Sequence, residues 1–140
     1  MADSLRAEAV WRGGLSAVAS ARGHEVVTDE PVGVGGSDLG MMPTELFCAA
    51  LASCFCLAVG HVAAKRDVAV SGLRVTVDAE REGSELRYRR LRVEIAATTA
   101  EPELADLVQR AKRFCWVSNM LAADLEVSYV PVALEATDAR

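Results

Sequence analysis

Apolar residues dominate one long stretch, Met42 to Arg66 (MPTELFCAALASCFCLAVGHVAAKR), and their spacing predicts a single helix. Pro43 suits the first turn, where its missing N–H would have no intrahelical partner, and Lys65 and Arg66 suit the negative end of the helix dipole. At about 100° per residue, Phe47, Leu51, Phe55, Val59 and Val62 share one side, and Ala49, Ala52, Ser53, Cys56, Gly60 and Ala63 share the opposite side. The bulky face suits a core, and the small face lets another backbone approach closely. Cys54 falls on the border between the faces, with His61 further along the same strip.

Strand patterns flank this helix. Ala7 to Val27 reads as a hairpin or meander with turns at Arg12-Gly13-Gly14 and Arg22-Gly23 and apolar positions at Val10, Leu15, Val18 and Val26-Val27. Residues Pro31 to Met42 (PVGVGGSDLGMM) read as a flexible connection, because they lack the glycine pattern and lysine of a phosphate-binding loop. Val68 to Glu82 and Ser84 to Thr99 alternate strictly, which predicts a half-buried antiparallel hairpin turning near Glu82-Gly83-Ser84. Leu73, Val75, Val77, Ala79, Leu91, Val93, Ile95 and Ala97 form its apolar face. Arg87, Arg89, Arg90 and Arg92 lie partly on its polar face, opposite acids of the preceding strand such as Asp78 and Glu80. Thr99-Ala100-Glu101-Pro102 opens a short amphipathic helix with the stripe Leu104, Leu107, Val108 and Ala111. Ser118 and Asn119 are positioned to interrupt or recap it. Leu125 to Leu134 reads as a closing strand with an edge position at Pro131, and Glu135 to Arg140 as a frayed tail.

The predicted class is α+β, a single domain over residues 1–140 with antiparallel sheets packed around a long central apolar helix. One small sheet cannot cover so long an apolar helix, so the excess predicts a homodimer. A membrane span fits by length, but the alanine and cysteine content, the intrahelical His61 and the lack of aromatic anchors at both ends argue against it. A net charge of −5 argues against a nucleic-acid partner. Met1-Ala2-Asp3-Ser4 opens no apolar leader, which makes the cytoplasm the expected compartment.

Four cysteines in that compartment are read as buried residues or thiol chemistry. With two histidines and no C-x-x-C pair, no metal site is expected. Cys54 and Cys56 lie about 200° apart on a helix and cannot bridge. Cys48 and Cys56 read as inert core. Cys115 follows Arg110, Lys112 and Arg113, whose charge would favour a thiolate if they lie near it. A thiolate and a second thiol within reach are what peroxide reduction needs, and on spacing alone both a redox pair and inert packing stay open.

The chain resembles the OsmC/Ohr family of osmotically induced and organic-hydroperoxide-resistance proteins. The matching residues are Ala9-Val10-Trp11-Arg12-Gly13, Asp29-Glu30-Pro31 with Gly35-Gly36, Pro43-Thr44-Glu45-Leu46-Phe47 leading to Cys54, and Ala111 to Asn119 around Cys115. The resemblance is to the OsmC-like branch. It implies an intertwined α+β homodimer with sites at the subunit interface, and thiol-dependent reduction of organic hydroperoxides or hydrogen peroxide. Cys54 would be the peroxidatic residue and Cys115 the resolving one, in an apolar pocket around Phe47, Phe55 and Trp116. It implies no bound cofactor and an external dithiol reductant, with a lipoylated protein as one source. Thr44 stands where the family's peroxidases have Glu, Glu45 lies one position later, and Trp116 replaces a Pro. Arg12 and Arg22 are the alternatives for an Arg holding the reactive thiolate. The other functions open to this fold are a binding protein for a small apolar ligand and a redox sensor without turnover.

Overall fold

A computed structural model describes residues 3–136, so the predicted tail falls largely outside the described residues beyond position 136. The chain divides between Phe47 and Cys48 into two compact units.

The first unit is a three-stranded antiparallel meander, β1 (Glu8–Gly13), β2 (Ser16–Ala21) and β3 (His24–Thr28), in that spatial order. Its turns fall where the glycines predict. Gly13 and Gly14 take φ of 97° and 54°, a left-handed conformation that costs glycine nothing. The segment after β3 is not the flexible connection its glycines suggested. The buried Asp29 carboxylate accepts backbone N–H groups from Glu30 at 2.8 Å and from Ser37 and Leu39 at 3.2 Å, and so winds the segment around itself. Gly36 and Gly40 are needed for close approach: a Cβ at Gly36 would overlap the Glu30 carbonyl, and one at Gly40 that of Val27.

Helix α1 (Pro43–Lys65) begins in this unit and runs into the next. Its start is fastened by Glu45, whose carboxylate accepts the Met42 N–H at 2.9 Å, half of a capping box. Its end is a Schellman motif: Asp67 turns left-handed at φ 56°, Val68 N–H donates to the Ala63 carbonyl at 3.0 Å, and Asp67 N–H donates to that of Ala64 at 3.3 Å.

In the second unit β4 (Ser71–Arg81) and β5 (Tyr88–Thr98) form the expected antiparallel hairpin, with a connection over residues 82–87. Strand β6 (Glu126–Ala133) is the other edge, and it runs parallel to β5, a departure from the expectation of antiparallel sheets. The physical reason is the intervening helix α2 (Glu101–Ala111), since a crossover of this length returns the chain to its starting end before the next strand. Pro131 pairs opposite Ile95 on this edge strand, where its missing N–H disrupts no interior ladder. The chain does not break at Ser118 and Asn119. It breaks at Cys115, and Ser118 and Asn119 lie inside a last short helix, α3 (Trp116–Asn119).

The core of this unit joins Leu51, Phe55, Val59 and Val62 of α1 to Leu91, Val93, Ile95 and Ala97 of β5, Leu104, Leu107 and Val108 of α2, and Cys115. Fully burying each of the larger side chains contributes roughly 1.5–3 kcal/mol. The opposite face of the sheet carries the expected cross-strand pairs, Arg90 with Glu80 at 3.2 Å and Arg92 with Asp78 at 4.0 Å. Arg87 pairs instead with Asp124 at 3.1 Å and Arg89 with Glu85 at 2.7 Å. By length and composition α1 passes for a membrane span, yet its bulky face is buried against protein. Its small face is less covered: Ala63 is buried, Ala49, Ala52 and Cys56 are half-buried, and Ser53 and Gly60 are exposed.

Candidate active site

Cys54 sits on α1 between the buried face and the small face and is half-buried. Cys48 and Cys56 are also half-buried, so the expectation that they belong to the core is corrected: they lie on the less covered side of α1. Cys115 is fully buried. Helix α2 stops at Ala111, a turn closes with Phe114 N–H donating to the Ala111 carbonyl at 2.9 Å, and Cys115 takes an extended conformation (φ −86°, ψ 98°) before α3 starts. That break carries Cys115 into the core against which Cys54 of α1 packs, and Cys54 is close enough to influence its thiol. None of the four cysteines is in a disulfide.

Burial pushes the Cys115 thiol above its ordinary value, since the low-dielectric core disfavours the charged form. Hydrogen bonds from the Ser118 side chain and backbone N–H work against that rise, and the neighbouring Cys54 adds to it. The cations expected to favour a thiolate here do not reach it. Arg110 pairs with Asp106 at 2.8 Å, and Arg110 and Arg113 line a cleft with Lys65, Arg66 and Phe114. Lys112 lies 4.7 Å over the ring of Tyr129. Tyr129, from β6, stacks on Phe55 with ring centroids 5.0 Å apart. Its own hydroxyl is raised by burial, with Ser118 opposing. Spacing alone pointed to neither Ser118 nor Tyr129. The only signal for them is their position, three residues after Cys115 and on the half-buried alternation of the closing strand.

Of the residues expected around the site, Phe55 is fully buried, and Phe47 and Trp116 are 46% and 60% exposed in the single chain. Glu45 is committed to the Met42 N–H. Thr44 is exposed beside it on the first turn. Arg12 closes β1 and Arg22 occupies the β2–β3 turn at φ 52°; both are exposed, and neither forms an ion pair among the described residues. No cluster among the described residues has the three His, Cys, Asp or Glu side chains that would hold a metal ion.

Residues 35–130 match the family model described as OsmC-like protein. The chain belongs to this family. Similar solved structures include an organic hydroperoxide resistance protein from Elizabethkingia anophelis, 21% identical, with a TM-score of 0.77 over 96% of this chain and 99% of that one. An OsmC-like protein from Mycoplasma pneumoniae, 18% identical, aligns with a TM-score of 0.78 over 96% of this chain and all of its own. An organic hydroperoxide resistance protein OsmC from Legionella pneumophila, 23% identical, gives 0.71 over 94% and 97%. No sequence among the curated proteins matches. The α+β fold of this OsmC-like chain is therefore that of the OsmC/Ohr proteins, over nearly its whole length.

Proposed function

We propose that this OsmC-like protein is a thiol-dependent peroxidase that reduces organic hydroperoxides or hydrogen peroxide. The observation that carries the reading is the packing of Cys54 against the core that holds Cys115, one thiol half-buried on a helix and the other sealed in the core. That asymmetry suits the two steps. The accessible Cys54, as thiolate, attacks the terminal peroxide oxygen; the O–O bond breaks, the alcohol or water leaves, and Cys54 becomes a sulfenic acid. Cys115 then attacks the Cys54 sulfur, an S–S bond forms, and the sulfenic oxygen departs as water. An external dithiol, such as that of a lipoylated protein, reduces the disulfide and is itself oxidised to a disulfide. No bound metal or organic cofactor enters this cycle. The names of the Elizabethkingia and Legionella proteins support a role in resistance to organic hydroperoxides.

The functional unit in this proposal is a homodimer. Among the described residues, ten of the fifteen exposed large apolar side chains precede Cys48, among them Trp11, Val32, Val34 and Leu39, and on α1 Leu57 is 75% exposed. A second copy is the covering that fits so much exposed apolar surface and an uncovered small-residue helix face. Light scattering at micromolar concentration is expected to give twice the chain mass, and a monomer mass would refute the dimer.

Mass spectrometry after one equivalent of peroxide is expected to find the Cys54–Cys115 disulfide, with steady turnover once a dithiol is added. Cys54→Ser abolishes both. Retained turnover in that variant would overturn the assignment, and a disulfide without turnover would select a sensor over an enzyme.

A further inference from the structure

The C-terminal ends of α1 and α2 meet at a cleft of about 180 Å³ lined by Val62, Lys65, Arg66, Arg110, Arg113 and Phe114. Four of these six residues are cations, in a chain whose net charge is −5. The carboxylate that pairs with them is Asp106, whose Oδ2 takes both Arg66 Nε at 3.5 Å and Arg110 Nε at 2.8 Å. Lys65 and Arg113 form no ion pair and no side-chain hydrogen bond among the described residues.

The needs of the fold do not account for so much positive charge. Lys65 and Arg110 lie in the last turns of α1 and α2, where a cation offsets the helix dipole. Arg113 lies beyond the end of α2, outside the reach of that effect. The closing carbonyls of α1 already accept the backbone N–H groups of Arg66, Asp67 and Val68, so no side chain is required as a cap. Between the cations stands an aromatic wall. Phe114 is 45% exposed, yet its ring is held edge-on against that of His61, with centroids 5.2 Å apart. Val62, nearly buried, adds an aliphatic surface to the same cleft.

We infer that this cleft is a binding site for a small aromatic carboxylate, its ring against Phe114 and Val62 and its carboxylate on Arg113 and Lys65. A cavity of about 150 Å³ takes one benzene ring, so the volume suits a single ring with an acid group on it. A guanidinium meets both oxygens of a carboxylate at once and stacks on aromatic faces, and both properties are used here. A bare inorganic anion leaves Phe114 and Val62 uncovered, and a neutral arene leaves Lys65 and Arg113 unpaired. The site is separate from the thiols: no cysteine lines it, and α1 rises about 16 Å between Cys54 and Lys65. The inference therefore stands independently of the peroxidase reading.

The test titrates the full chain with 4-fluorobenzoate and follows the 19F line by NMR at low ionic strength, with 4-fluorobenzyl alcohol as the neutral match. Saturable binding of the carboxylate is expected, about tenfold or more tighter than that of the alcohol and weakened by added salt. Arg113→Ala and Lys65→Ala should each weaken it roughly three- to tenfold, the loss expected for one charge-assisted hydrogen bond at an exposed position. Phe114→Ala should weaken it as well, for both ligands. Lys65 and Arg113 are exposed, so the unfolding midpoints of their variants should stay in place, which separates loss of the site from loss of the fold. Arg90→Ala, which removes a cation from the solvated face of the sheet, should leave binding unchanged. No saturation, equal binding of the alcohol, or wild-type binding in both Arg113→Ala and Lys65→Ala would overturn the inference. Displacement of the carboxylate by inorganic phosphate as readily as by unlabelled benzoate would overturn the assignment of an aromatic ligand.

Discussion

Up to Phe47 the buried side chains are Thr28 and Asp29, both polar, whereas all the buried apolar residues lie after Cys48. One unit is organised by hydrogen bonds to a carboxylate and by strand pairing, the other by close packing of α1, α2 and β5. A three-stranded sheet with few buried apolar contacts is marginal alone. The difference teaches where each kind of cost falls. A packed core tolerates no cavity, while a loop wound around one carboxylate tolerates no loss of its acceptor. It also separates the roles: the thiols sit in the packed unit, and the exposed apolar surface we assign to a second copy sits mainly in the other.

The largest expected effect strikes the packed unit. Phe55→Ala empties the site under Tyr129 and should cost about 3–5 kcal/mol in denaturant unfolding. A loss below about 1 kcal/mol would mean that the core is not closed around α1. Next comes Asp29→Ala, which strips three N–H groups of their acceptor and should cost roughly 2–3 kcal/mol. Amide exchange at Ser37 and Leu39 should rise with it, and unchanged protection there would break the account of that loop. Gly36→Ala should loosen the same amides, because the new Cβ meets the Glu30 carbonyl.

The pH dependence sharpens the contrast from the packed side. The Cys115 thiol is raised above its ordinary 9.0 in the folded protein, so the unfolded chain loses that proton first. The unfolded state then binds fewer protons, and stability falls as pH rises from about 9 towards the folded value. Tyr129, raised above 10.0, adds to the loss further up. Denaturant midpoints at pH 8 and pH 10 should differ, and Cys115→Ser should shrink the difference. The smallest effect is expected on the solvated face of the sheet, where Arg90→Ala breaks an exposed pair with Glu80 and should leave the unfolding midpoint nearly in place.

Local chemistry made much of this fold legible. Pro43 and Lys65 bound α1 because caps and dipoles act within a turn, and alternation placed Leu91, Val93, Ile95 and Ala97 on the core side because the strand period is two. Cys54 and Cys115 could be singled out from motif and resemblance. What spacing could not supply was direction at a distance. Arg110, Lys112 and Arg113 are neighbours of Cys115 in sequence, yet they pair with Asp106, lie over Tyr129 or face a cleft.

By itself, then, the sequence determined most of the elements and their order, because propensity, capping and periodicity are properties of a few consecutive residues. Tertiary structure alone decided that β6 runs parallel to β5, that Asp29 organises the loop, and that Cys115 is buried against Cys54 with Ser118 and Tyr129 as its polar company. Each of these joins groups far apart in the chain, and burial and long-range hydrogen bonding depend on which surfaces the completed fold brings together.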